Sequence, residues 1–88
     1  MKYGFRINRD LIGTGSYGVT SPMTARTAEM LKRKGAEFRM LDDDRAVYYH
    51  GRILGEYDGF EPLDDFGEAM AGCTIIQYKD DQGVWADL

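Results

Sequence analysis

The chain has one cysteine (Cys73), one histidine (His50) and one tryptophan (Trp85) in 88 residues. A single cysteine excludes an intramolecular disulfide. Small secreted domains usually depend on several such crosslinks, so the sequence points to a reducing, cytoplasmic compartment. The opening residues Met1-Lys2-Tyr3-Gly4-Phe5-Arg6 lack the apolar run of a signal peptide. No stretch approaches the roughly eighteen apolar residues of a membrane-spanning helix. One cysteine and one histidine cannot build a structural zinc site unaided, so neither a metal nor another cofactor is expected.

What is present suits a packed domain. Hydrophobic residues make up 43% of the chain and aromatics 12%, enough to form a core and too much for a disordered segment. A chain of this length closes around one core, so residues 1–88 are read as a single domain. The net charge of -4 hides an asymmetry. Residues 1–40 hold eight Lys/Arg against Asp10, Glu29 and Glu37, whereas residues 41–88 hold three against twelve acids. Such a division bears on partners and association rates rather than on fold.

Tyr3, Phe5 and Ile7 alternate with polar residues or glycine, the period of a strand with one buried face. Gly13, Gly15 and Gly18 then mark a loop. Ser21 can cap a helix whose first position suits Pro22. Met23, Thr27, Met30 and Leu31 fall on one face, and Lys32, Arg33, Lys34 and Gly35 close the helix, which is expected at about 22–34. Residues 36–41 and 45–50 read as a hairpin across Asp42-Asp43-Asp44. Residues 51–60 read as irregular and Pro62 to Gly67 as a single helical turn. Residues 74–79 and 84–86 read as strands joined by a turn at 80–83. The expected fold is α+β, an antiparallel sheet of about five strands with the main helix on one face. Trp85, Tyr78, Ile76, Phe38, Met40, Phe5 and Leu31 are the core candidates.

Several motifs resemble chemistry. Gly13-Thr14-Gly15-Ser16-Tyr17-Gly18-Val19 matches the glycine-rich loop that covers ATP phosphates in protein kinases, but the lysine, catalytic-loop and metal-binding motifs of that fold are missing. Asp42-Asp43-Asp44 lacks the alternate spacing and the terminal glutamate of a calcium loop and reads as a solvated turn. Nothing local supports a Cys73–His50 nucleophile pair. Arg26, Lys32, Arg33 and Lys34 could contact phosphate, but a sequence pI near 4.8 argues against direct nucleic-acid binding. The acidic stretch is the most informative. From Glu56 to Glu68 there are six carboxylates and no Lys or Arg, with Tyr57, Phe60, Leu63 and Phe66 among them. Acids surrounding aromatic anchors can steer toward a basic surface and seat on it. The candidate partner-binding residues are therefore Glu56, Tyr57, Asp58, Phe60, Glu61, Asp64, Asp65, Phe66 and Glu68.

The segments Phe38-Arg39-Met40-Leu41-Asp42-Asp43-Asp44, Val47-Tyr48-Tyr49-His50-Gly51-Arg52, Glu61-Pro62-Leu63-Asp64-Asp65-Phe66-Gly67 and Ala71-Gly72-Cys73-Thr74, with Trp85, resemble a family of short, functionally uncharacterised proteins of bacteria and phages. Where that family often carries Pro-Asn before Ala-Gly-Cys-Thr, this chain has Ala69-Met70. The resemblance implies a single domain and supplies neither a reaction nor a ligand. The expected function is non-enzymatic: a small acidic protein that docks its carboxylate-rich face on a basic protein surface. A nucleoprotein complex is the obvious class of target, by analogy with small acidic phage inhibitors such as anti-CRISPR proteins. The alternative is a bacterial housekeeping or regulatory interaction module, with a homodimer as one form.

Overall fold

A computed structural model describes residues 3–21 and 25–88. The strands β1 (Tyr3–Asp10), β2 (Ala36–Leu41), β3 (Val47–Gly55), β4 (Ile75–Lys79) and β5 (Trp85–Asp87) form one antiparallel sheet. Their order across it is β1-β3-β2-β4-β5. Helix α1 (Ala25–Met30) precedes β2. Between β3 and β4 a π-helical turn, Leu63–Gly67, runs into α2 (Glu68–Ala71). This is the α+β fold read from the sequence, with five strands.

Alternation along the strands separates two faces. Phe5, Ile7, Phe38, Met40, Tyr49, Ile53 and Ile76 are buried on one of them, under Leu63, Phe66 and Cys73. The ring of Tyr49 meets that of Phe66 edge to face at 5.1 Å. Two glycines allow this packing. A Cβ on Gly51 would lie 2.3 Å from the Arg6 carbonyl oxygen and 2.5 Å from Phe38 Cζ, and one on Gly67 would lie 2.5 Å from Met40 Sδ. Glycine at 51 leaves room for the Phe38 ring, and glycine at 67 lets the helical layer approach the sheet.

Four sequence expectations need correction. The helix expected at 22–34 is regular only over Ala25–Met30; residues 22–24 lie outside the described residues. Beyond Met30, Lys32 and Arg33 donate to carbonyls three residues back, so the last turn tightens and unwinds before Gly35 at φ 103°. The helix on the apolar face is the 63–71 segment, not α1. Residues 51–55 are strand rather than irregular, because β3 is an interior strand that pairs on both sides, with Ala36 and Tyr3 near its end. Trp85 does not join the core. It pairs with Lys79 across the β4–β5 edge and belongs to the opposite face.

Two turns share one construction. Asp42 Oδ1 accepts the N–H groups of Asp44 and Ala46, and Asp80 Oδ1 accepts those of Gln82 and Val84. The fourth residue of each is left-handed: Arg45 at φ 67° and Gly83 at φ 80°. The leading aspartate thus supplies the hydrogen bonds that a tight hairpin turn needs.

Candidate interaction surfaces

The acidic surface is built on the outer side of the helical layer. Leu63 and Phe66 turn inward, which leaves Asp64, Asp65 and Glu68 facing solvent. The loop before them is ordered by its own acids. Glu61 accepts the N–H groups of Asp58 and Gly59, and Asp58 accepts that of Phe60, each at 2.9 Å. This closed set satisfies backbone donors at the entrance to the helical segment. Tyr78 donates its hydroxyl to the Gly59 carbonyl, tying the loop to the sheet. Tyr3 donates to Asp65 at 2.5 Å, and this bond to a carboxylate raises the Tyr3 hydroxyl above its ordinary range.

Among the described residues, none of the six carboxylates from Glu56 to Glu68 pairs with a lysine or arginine. The ion pairs lie elsewhere, at Lys32–Glu29, Arg45–Asp87, Arg52–Glu37 and Lys79–Glu37. Phe60 is 42% exposed and Tyr57 38%, so both aromatic anchors reach solvent beside these acids. Phe66 does not. At 7% exposure it belongs to the core, and we remove it from the candidate docking residues. Met70, which sequence reading missed, is 53% exposed beside Glu68 and Ala69. Helical spacing alone would set Met70 beneath Phe66; the wider π-helical turn breaks that phase.

The motifs that resembled chemistry are committed to structure. Asp10 accepts the N–H groups of Ile12, Gly13 and Ser16 and the Thr14 hydroxyl, so three donors of the glycine-rich loop are engaged by a carboxylate rather than held ready for a phosphate. The loop's bond from the Ser16 N–H holds Asp10 below the usual carboxylate range. Thr14 also shares a hydroxyl contact of 2.9 Å with Tyr49, anchoring the loop to the core. Within the triple aspartate, Asp42 holds the turn and Asp43 accepts the Thr74 hydroxyl. Cys73 is fully buried under the helical layer, and burial pushes its thiol up to about 11. His50 projects from the other face of the sheet, so the two do not meet as a pair.

That other face is open and basic. Arg6, Arg9, Arg39, His50, Arg52 and Lys79 alternate with the core residues of their strands. Arg6 is buried and closes one end, with the Tyr17 ring 4.8 Å from its guanidinium and a hydrogen bond to Asn8. At the other end the Trp85 ring lies 4.5 Å from the Arg39 guanidinium and 5.3 Å from Lys79 Nζ. Arg39 donates to Gln77, and Gln77 to Asp87. Between these ends is a cleft of about 380 Å³ lined by Arg9, Lys32, Glu37, His50, Arg52 and Trp85, among others. The sheet therefore separates a carboxylate-rich helical side from a cationic one. Sequence reading placed the surplus of positive charge in the first forty residues but missed Arg52, Lys79 and Trp85, whose place beside Arg9 depends on strand order.

The chain matches no family model, no curated protein and no solved structure.

Proposed function

We propose that this protein is a small binding module that docks its carboxylate-rich helical side on a basic surface of a larger macromolecular partner. One observation carries the reading: the acids from Glu56 to Glu68 have no lysine or arginine partner among the described residues, and exposed Tyr57 and Phe60 lie among them in the chain, with exposed Met70 just beyond. Unneutralised carboxylates raise the rate of encounter with a cationic surface, and desolvated aromatics supply the affinity that holds it. Complexes that handle nucleic acids expose lysine and arginine channels meant for phosphate, so they are the partner class this side suits. The module then acts as a modulator or inhibitor of such a complex in the manner of small anti-CRISPR proteins.

The test is a variant in which Asp64, Asp65 and Glu68 are all changed to lysine, compared with the parent protein in capture from bacterial lysate at low and raised salt. A partner retained by the parent at low salt, released by salt and lost by the variant is expected. Equal capture by both proteins refutes the docking side.

The opposed charges favour one second reading. The cationic sheet face of one copy complements the acidic side of another, which would build a head-to-tail assembly rather than a two-fold dimer. Sedimentation at low salt discriminates: association that the same triple variant abolishes identifies a second copy as the partner.

A further inference from the structure

We propose that the cleft on the open sheet face is a binding site for the phosphate group of a small phosphomonoester, with Arg9, Arg52 and Lys79 as its principal contacts and Trp85 as its wall. The cleft measures about 380 Å³, within the range of roughly 300–1,000 Å³ typical of small-ligand sites, so it has room for more than the phosphate itself. Arg9, Lys32, Arg52 and Lys79 line it against a single carboxylate, Glu37. Glu37 lies between two of these cations, 3.6 Å from Arg52 Nη2 and 3.5 Å from Lys79 Nζ. Both contacts are long for charge-assisted hydrogen bonds, which favour about 2.7–2.9 Å. Donor capacity therefore remains on both heads. Arg52 is also steadied by donating to the Gly35 carbonyl at 3.0 Å. Arg9 pairs with no carboxylate among the described residues and is exposed at the rim. A planar fork on a fixed strand, a flexible ammonium and an unpaired guanidinium are the donor set that a phosphate dianion requires.

His50, on β3 between Arg9 and Arg39, reports the potential of this cleft. Its imidazole sits below its ordinary range, first through burial and then through the cations of Arg9, Arg39 and Lys79, with Glu37 opposing them. A bound dianion offsets those cations and moves the His50 titration upward.

Because His50 and Trp85 are each the only residue of their kind, both signals belong to the cleft without labelling. The test titrates the whole chain with adenosine monophosphate, with ribose 5-phosphate and with adenosine, following Trp85 emission and the His50 ring protons. Saturable changes with the two phosphates, an upward His50 titration and silence with adenosine are expected. Equal affinity for the two phosphates means that the phosphate alone is recognised. Tighter binding of the nucleotide means that its ring adds contact with Trp85. Both results support the site. Arg9→Glu should weaken binding by about tenfold or more, given the usual strength of a hydrogen bond to a charged group. Lys34→Glu makes the same charge change at an exposed position outside the cleft and should leave affinity close to that of the parent. No saturable response to either phosphate at millimolar concentration overturns the proposal. So does an equal loss in both variants, which would reduce the effect to net charge.

Discussion

His50 and Trp85 meet edge to face on the open side of the sheet, their ring centroids 5.6 Å apart. The contact holds the imidazole among Arg9, Arg39 and Lys79, and burial, followed by these cations, favours its neutral form. The unfolded chain therefore takes up this proton more readily than the folded one. The stability His50 contributes is complete above its unfolded value near 6.5 and is lost as the pH falls through its lower folded value. As the pH drops from about 7 to about 5, the thermal midpoint of the parent should fall further than that of His50→Gln. Parallel curves for the two proteins would show that the histidine is not perturbed.

Phe60 and Phe66 lie six positions apart with opposite roles. Phe66→Ala removes a core ring and should cost about 3–5 kcal/mol, a large share of the roughly 4–13 kcal/mol expected for a domain of this size. Phe60→Ala, at an exposed position, should change stability by no more than about 0.5 kcal/mol while weakening partner capture. Denaturant unfolding of the two variants checks the assignment.

Gly51 and Gly67 should tolerate alanine unequally. The new Cβ at 51 meets a backbone oxygen at 2.3 Å, which cannot move without disturbing β1, whereas the one at 67 meets the flexible end of Met40. Overpacking of this kind commonly costs about 1–3 kcal/mol. Gly51→Ala should reach or exceed that range, and Gly67→Ala should fall at or below its lower end. The reverse order in equilibrium unfolding would contradict the packing described here.

The two aspartate-led turns make a paired experiment. Gly83→Ala imposes a side chain on a left-handed position and should cost about 1–2 kcal/mol, although space around it is open. Arg45→Gly relieves the same conformation in the sister turn at the loss of an exposed pair with Asp87, so its thermal midpoint should not fall. A clear fall would mean that the Arg45–Asp87 bridge matters more than an exposed ion pair normally does.

Local chemistry made much of this fold legible. Alternation at Tyr3, Phe5 and Ile7 marked β1, and the Asp-rich turns marked both hairpins. What escaped was set by pairing across distance. Residues 51–55 carry two glycines and an arginine and read as irregular, yet they extend β3 because β1 and β2 flank them. Trp85 was assigned to the core on hydrophobicity, but register with Lys79 places it on the opposite face, where cations cover its ring. Phe66, expected at the surface, is buried and Met70, given no role by the sequence, is exposed, because a π-helical turn that no periodicity announces sets their phase. The acidic stretch could be read because it is continuous in sequence; the basic cleft could not, because its cations come from four different segments.

The docking side is tested most directly by following backbone chemical shifts of the isotope-labelled protein while a lysine- and arginine-rich peptide is added at low salt. The largest changes should fall at Tyr57, Phe60, Asp64, Asp65, Glu68 and Met70 and disappear as salt is raised. Asp44 and Asp81, equally exposed acids at opposite ends of the sheet, should respond little. Changes of similar size at every exposed carboxylate would contradict a dedicated docking side.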